Sequence, residues 1–259
     1  MSTTIKALSL AIAAMLVLMT SPISLGQQGT SVYEGDWPSW AGSSNASRYS
    51  PLDQITAENV EDLEIAWRWS TQGFGPGTDF VNPSTPLEID GVLYANVGTT
   101  RNVVALDATS GQVLWMYRYD EGTRFDEAPR KGAGRGVSYY NNGEKSRIFD
   151  ISPGYQLVSL DPATGIPDPS FGEDGLVDLY VGVRNGDDPR FAYPDIGISA
   201  PPFIMNDVTV VGAAHRTGGR PRAKLNTKGD IRGFDVHSGE LLWTFHTIPA
   251  RGEYGYESW

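Results

Sequence analysis

The chain has 259 residues, of which 40% are hydrophobic and none is cysteine. Its 20 Lys and Arg against 31 Asp and Glu give a formal net charge of −11, which argues against nucleic acid or an anionic membrane surface as a partner. Without cysteine the chain forms no disulfide and carries no thiol for lipid attachment.

Residues 1–26 have the pattern of a secretory signal peptide. Lys6 precedes a run of small and apolar residues, 7–19, and the small residues Ser24 and Gly26 suit cleavage by a signal peptidase. The apolar run is too short for a stable membrane span, which needs about 20 residues. We therefore expect export and cleavage, with an uncleaved anchor or an atypical cytoplasmic protein as the alternatives.

The elements that follow are short strands. Segment 63–69, with two Trp, predicts a strand that stands apart from any hairpin. Segment 86–94 predicts two strands about an Asp-Gly turn, 147–158 predicts two about a Pro-Gly turn, and 202–210 predicts two about an Asn-Asp turn. The chain therefore contains three predicted hairpins at wide intervals.

Each hairpin belongs to one copy of a repeat. Segments 105–115 and 233–243 are near-copies, each with a strand, an Asp-x-x-Ser-Gly turn and a second strand that carries a Trp. Segment 159–165 is a degenerate copy that keeps the turn, with Pro169 in place of the Trp. Asp with Ser or Thr can hydrogen-bond the turn backbone, and Gly accepts a positive φ. The residues predicted to dock neighbouring units are Asp107, Gly111, Trp115, Asp161, Gly165, Asp235, Gly239 and Trp243.

Four strands per unit make one blade of a β-propeller. The turns lie farther apart than the ~40–50 residues of a blade repeat, so segments 120–136 and 179–199 are predicted insertions. The predicted fold class is all-β, with about three blades of four antiparallel strands and the strand at 63–69 as one closing strand. Because three blades do not close a ring, we expect residues 27–259 to be the N-terminal part of a larger propeller.

The Ala-x-Asp-x-x-Ser-Gly-x-x-x-Trp repeat resembles the tryptophan-docking motif of the quinoproteins, dehydrogenases that use pyrroloquinoline quinone (PQQ). The chain is most similar to the glucose-dehydrogenase-like branch, from about Asp36 to the end. Further stretches that carry the resemblance are 37–40, 48–56, 134–140, 171–179, 229–235 and 245–249. The resemblance implies an eight-bladed propeller with PQQ across its mouth, held by a divalent cation, usually Ca²⁺. It also implies oxidation of a small-molecule sugar or polyol in the periplasm, with ubiquinone or a cytochrome c as electron acceptor.

The resemblance further implies cofactor contacts. Arg135, in Gly-Arg-Gly-Val, aligns with an arginine that hydrogen-bonds the quinone oxygens, where it would stabilise charge as it develops. Ser199 falls where a hydroxyl meets a PQQ carboxylate. Ala214, His215 and Arg216 follow a strand where relatives bring backbone N–H groups to the cofactor rim, and Arg216 is placed to pair with a carboxylate. From residue type alone, Arg135 would be a surface arginine and Ser199 a turn serine.

The chain departs from the alcohol-oxidising relatives at two places. Those relatives carry two adjacent cysteines before the arginine, where residues 131–134 here read Lys-Gly-Ala-Gly, and a calcium-binding Glu near Thr217. These differences favour a sugar or polyol as substrate. By the family pattern the catalytic Asp lies beyond residue 259, so no catalytic residue or metal ligand is assigned. The alternative function is a non-enzymatic propeller scaffold or binding module built from the same repeats.

Overall fold

The computed structural model describes residues 35–258 apart from 44, 78, 185–191 and 217–225. The predicted signal peptide, residues 1–26, lies outside the described residues, as does Thr217. Within the described part of the chain, no helix is long and apolar enough to cross a membrane.

Three four-stranded antiparallel sheets make up most of the described structure, and they confirm the predicted all-β fold. Blade 1 contains β1 (Leu87–Ile89), β2 (Val92–Val97), β3 (Asn102–Asp107) and β4 (Val113–Tyr117). Blade 2 contains β5 (Ser138–Asn141), β6 (Ser146–Ile151), β7 (Gln156–Leu160) and β8 (Leu176–Asp178). Blade 3 contains β10 (Phe203–Met205), β11 (Val208–Val211), β13 (Ile231–Asp235) and β14 (Leu241–Phe245). A two-stranded ribbon pairs β9 (Ile196–Gly197) with β12 (Ala214–His215), and a short helix spans Thr123–Glu127.

The two-residue hairpin turns form where the sequence predicts them. Asp90 and Gly91 have φ of 53° and 78°, and Asn206 has 49° with Asp207 at 59°. Positive φ at both positions is the geometry of a type I′ turn, whose twist matches that of the flanking strands. These turns set the register of β1 with β2 and of β10 with β11.

The repeated turns are stabilised by their aspartates. Asp107 Oδ1 accepts hydrogen bonds of 2.7 Å from both the backbone N–H and the hydroxyl of Ser110. Asp161 and Asp235 make the same pair of bonds to the residue three positions later. The bonds from Ser110 hold the pKa of Asp107 below its usual value, because they stabilise the carboxylate form.

Each repeated glycine lies against a side chain of the preceding unit. A Cβ at Gly165 would come 2.4 Å from the Trp115 ring, and one at Gly111 would come 2.5 Å from the Trp67 ring. The indole Nε1–H of Trp115 donates to Pro162 O at 2.8 Å, and that of Trp67 donates to the equivalent carbonyl of the earlier turn at 3.1 Å. Glycine is therefore required here both for its positive φ and for close approach of the indole.

The junction between blades 2 and 3 uses other side chains, because blade 2 lacks the Trp. A Cβ at Gly239 would come 2.6 Å from Val177 Cγ2 and 3.3 Å from the Phe171 ring. The Gly172 backbone N–H also donates to Ser238 O at 2.8 Å. An aliphatic and an aromatic side chain thus cover the turn that an indole covers at the other junction.

The strand predicted at 63–69 is not formed in the described structure. A strand needs a hydrogen-bonding neighbour, and none of the described sheets has a strand beside this segment. Its aromatic side chains still dock on blade 1, where Trp67 and Trp69 pack against the buried Val104 and Leu106.

Successive blades pack face to face through apolar side chains. One buried cluster joins Leu87 and Val103 of blade 1 to Ile148 of blade 2, and another joins Leu157 of blade 2 to Phe234 of blade 3. The first strands of blades 2 and 3, β5 and β10, are in contact, whereas the outermost strand β14 is exposed along its length. Blades that converge at their inner strands form the wedge typical of a propeller.

We expect Trp115→Ala to destabilise the protein by about 3–5 kcal/mol, because it removes an aromatic side chain that fills an interblade contact. Trp115→Phe should cost less, about 1 kcal/mol, since it keeps a ring on Gly165 and loses the hydrogen bond to Pro162. Gly165→Ala should also destabilise the protein, because its Cβ would collide with the Trp115 ring. Urea denaturation gives the free energy of unfolding of all three variants. Equal stabilities for Trp115→Ala and Trp115→Phe would contradict docking through the ring.

Candidate functional site

The five predicted cofactor contacts lie on three segments that meet at one place. The Arg135 backbone N–H donates to Ser199 O at 2.9 Å. Ser199 follows β9, and β9 pairs with β12, which consists of Ala214 and His215 and directly precedes Arg216. Segments separated by up to about 80 positions in sequence are therefore linked in the fold, with Arg216 bonded to Asp195 at the end of β9 away from Ser199.

Arg135 and Ser199 are joined by that backbone hydrogen bond, and both carry side-chain donors without partners among the described residues. The Arg135 side chain is exposed, and within the described residues it makes no hydrogen bond or ion pair. The Ser199 hydroxyl is half-buried and likewise has no hydrogen-bond partner among the described residues. A guanidinium and a hydroxyl, both held by the same backbone hydrogen bond, form a donor pair suited to an anionic ligand.

His215 and Arg216 already have partners within the protein. His215 Nε2 lies 2.7 Å from Thr227 O, and because a carbonyl only accepts, Nε2 carries the hydrogen. Arg216 Nε donates to the buried Asp195 at 3.1 Å, and its guanidinium also donates to Glu127 O at 3.0 Å. The role of Arg216 as a carboxylate-binding residue stays a prediction, and Arg216 would have to bind a ligand while balancing Asp195.

Glycines let residues 130–136, the Arg135 loop, pack closely against neighbouring backbone. A Cβ at Gly136, where φ is +123°, would come 2.7 Å from Thr85 O. The Gly136 N–H donates to Asn96 Oδ1 at 3.0 Å, and Thr85 N–H donates to Arg135 O at 3.2 Å. The loop is thus fixed by blade 1 on one side and by Ser199 on the other, which leaves the Arg135 side chain to project outward.

A buried polar group lies behind this loop. Asp150 Oδ2 accepts hydrogen bonds from Asn96 Nδ2 at 3.1 Å and from the Tyr119 hydroxyl at 2.9 Å. Burial raises the pKa of Asp150 to about 7, and the nearby positive charge of Arg101 counteracts part of that rise. Asn96 also accepts a hydrogen bond from the Gly136 N–H, so this one side chain links the Asp150 carboxyl group to the loop that carries Arg135.

Sequence reasoning missed Asn96, Arg101 and Asp150. The available signal was a polar residue between two apolar neighbours of a strand, as with Asn96 in β2 and Asp150 in β6. Such residues are costly to bury unless they are hydrogen-bonded, so they mark a polar network. Which residues complete that network cannot be read from spacing.

The described residues hold no group of three or more His, Cys, Asp or Glu that could bind a metal ion. The divalent cation that the family resemblance implies therefore has no assigned ligand in this part of the chain. The acidic residues of the two insertions include Asp126, which lies on the short helix, and Glu121, which accepts hydrogen bonds from Ser152 and Gly154.

Residues 37–259 match the family described as glucose/ethanol/alcohol dehydrogenase, beta-propeller domain, of the PQQ group. The chain belongs to this family. A glycerol dehydrogenase large subunit from Gluconobacter oxydans (strain 621H) is 28% identical over 229 residues, which is 85% of this chain and 29% of that protein. A quinoprotein glucose dehydrogenase from Escherichia coli (strain K12) is 31% identical over 230 residues, 83% of this chain and 27% of that protein.

A solved structure has the same architecture. A quinohemoprotein alcohol dehydrogenase from Pseudomonas putida HK5 superposes with a TM-score of 0.64 at 26% identity, over 87% of this chain and 29% of that one. These matches confirm the PQQ-dehydrogenase resemblance and the propeller fold. The chain spans less than a third of the length of these curated relatives.

We predict that Asp150→Asn changes how stability depends on pH. A carboxyl whose pKa rises from 3.8 to about 7 on folding contributes stability below pH 4, and that contribution is lost as the pH rises through 7. The melting temperature of Asp150→Asn relative to wild type should therefore rise between about pH 4 and pH 7 and then level off. A difference that stays constant across this range would contradict the raised pKa.

Asp178→Asn is a suitable control because its pKa shift has the opposite sign. Burial alone would raise the pKa of Asp178, but hydrogen bonds from Arg124 and from the Tyr180 backbone lower it overall. Stability from such a group is present above its ordinary pKa and is lost only at lower pH. The melting difference for Asp178→Asn should thus be flat above about pH 5.

Proposed function

We propose that the full-length protein is a periplasmic PQQ-dependent dehydrogenase that oxidises a hydroxyl group of a sugar or polyol. The observation that carries this proposal is a pair of side-chain donors, those of Arg135 and Ser199, which have no partner in the described part of the chain and whose residues a 2.9 Å backbone hydrogen bond joins, in a chain of the PQQ dehydrogenase family. The similar glycerol and glucose dehydrogenases are consistent with this substrate class.

The donors at this site fit a cofactor with three carboxylates and quinone oxygens. When bound, PQQ supplies a quinone that accepts hydride from the substrate. Arg135 would donate hydrogen bonds to oxygens on which negative charge develops, and Ser199 would donate to a carboxylate. Because the loop is already fixed by backbone bonds, these donors need little rearrangement during the reaction.

Other parts of the reaction are not assigned to described residues. We propose ubiquinone or a cytochrome c as electron acceptor and Ca²⁺ as the divalent cation. The backbone of Ala214 and His215 would contribute to the cofactor rim beside Ser199. The absence of adjacent cysteines before Arg135 supports a sugar or polyol over a simple alcohol.

Arg135→Ala in the full-length protein should lower turnover by about 10²–10³-fold, because it removes a preorganised donor. The assay uses PQQ and Ca²⁺ with a panel of aldoses, polyols and primary alcohols and an artificial electron acceptor. Lys131→Ala is the matched control, since Lys131 is an exposed cation in the same loop that donates to Asp126 O. We expect this variant to keep its turnover.

Three results would each contradict a part of the proposed function. Unchanged turnover in Arg135→Ala would make Arg135 a surface arginine. If the wild-type protein reduces no acceptor with any substrate of the panel, it is a binding module or a scaffold rather than an enzyme. A preference for primary alcohols over aldoses and polyols would contradict the proposed substrate class alone.

A further inference from the structure

Arg101 is a buried arginine whose hydrogen bonds go to backbone carbonyls. It lies in the turn between β2 and β3 with φ of 57°, and 1% of its surface is exposed. Its Nη1 donates to Ile198 O at 2.7 Å and to Ile151 O at 2.8 Å. Its Nη2 donates to Arg130 O at 2.7 Å, and its Nε donates to Gly132 O at 3.2 Å.

These carbonyls belong to the segments that carry the candidate site. Arg130 and Gly132 lie in the loop that presents Arg135, and Ile198 directly precedes Ser199. The fourth carbonyl ends β6, the central strand that also carries Asp150. One side chain from blade 1 therefore holds the loop before β5, the segment before β10 and the end of β6 in a single arrangement.

The loop is shaped to fit this side chain. Gly134 has φ of +74°, and a Cβ there would come 2.8 Å from Arg101 Nε. The Gly132 N–H also donates to Thr99 O at 3.1 Å, two residues before Arg101. The glycines on either side of Ala133 thus let the loop wrap around the guanidinium without a side chain in between.

Arg101 differs in its bonding from Arg147, which is similarly buried. Arg147 donates through Nε to Asp168 at 2.8 Å and forms an ion pair with that carboxylate. Arg101 makes no hydrogen bond to a carboxylate within the described residues, and backbone carbonyls accept from four of its five N–H groups. A buried cation bound in this way depends on all of its carbonyl partners staying in place, so it couples their positions.

We propose that Arg101 is a positioning residue that sets the spacing between Arg135 and Ser199 for a polyanionic cofactor. This inference rests on the proposed function, in which those two residues contact PQQ. Arg101 acts through the backbone and is itself buried beneath the loop. By ordering both segments before binding, it removes an entropic cost that the cofactor would otherwise have to offset.

Lysine cannot replace Arg101 in this role. A planar guanidinium directs several N–H groups in fixed directions, whereas an ammonium is a compact charge on a flexible stem. Arg101→Lys therefore keeps the charge and most of the apolar stem but cannot reach all four carbonyls. Arg101→Asn is a second variant. Asn tolerates the left-handed backbone at this position, and its short side chain cannot reach the four carbonyls.

The test measures PQQ binding and amide hydrogen exchange in the cofactor-free full-length protein. For Arg101→Lys we expect the dissociation constant of PQQ to rise about 10- to 100-fold. Exchange should become faster in segments 130–136 and 196–199. The matched control is Arg147→Lys, which removes a buried arginine bond away from the site. It should lower the melting temperature without changing PQQ affinity or exchange in these two segments.

The outcomes separate this inference from the proposed function. If wild type binds PQQ and Arg101→Lys binds it equally well, the positioning role is wrong. If wild type does not bind PQQ, the proposed function fails, and the exchange data still show whether Arg101 orders the two segments. If neither Arg101 variant folds, amide hydrogen exchange in the wild-type protein tests the inference. Rapid exchange at the Gly132 and Arg135 amides would contradict a loop fixed by Arg101.

Discussion

The packing of a large side chain onto a bare turn glycine is the interaction on which the described fold depends. At Gly111 and Gly165 the contact is an indole whose N–H also donates to a carbonyl of the same turn. The glycine is needed for its backbone conformation and for the flat surface it leaves. Because the turn aspartate holds that surface in place, each blade offers its neighbour a fixed docking surface. At Gly239 other apolar side chains do the same, so the requirement is for shape and hydrophobic area more than for Trp itself.

Arginines provide a second kind of junction between blades. Arg101 donates to carbonyls of later segments, Arg232 of β13 donates to Leu179 O just after β8, and Arg124 of the short helix donates to Gly154 O in blade 2. Carbonyls at strand ends and in loops lack partners from their own sheet and are costly to bury unsatisfied. An arginine with several donors can satisfy carbonyls of more than one segment at once. The apolar contacts thus hold blades together along their faces, and the arginines fix the loops at their ends.

The candidate site follows from both kinds of junction. Docking of the blades brings the first strands of blades 2 and 3 together, so the segments that precede β5 and β10 become neighbours. Arg101 and the Arg135–Ser199 backbone bond then fix these segments relative to each other. Asp150, with its pKa raised to about 7, lies beneath the same loop and is linked to it through Asn96. The donors of Arg135 and Ser199 are consequently supported by a buried layer that is polar but internally hydrogen-bonded.

The sequence by itself determined the blades, their turns and the docking glycines, because these depend on local backbone preference and on a repeat that recurs along the chain. It also predicted Arg135 and Ser199 as cofactor contacts, through the family resemblance of the segments around them. Only the tertiary structure decided that segment 63–69 forms no strand, since pairing requires a neighbour that spacing does not reveal. It alone assigned the buried roles of Arg101 and Asp150, because their partners are backbone atoms and side chains distant in sequence. Backbone carbonyls are common to every residue type, so a side chain that binds them leaves no complementary pattern in the sequence.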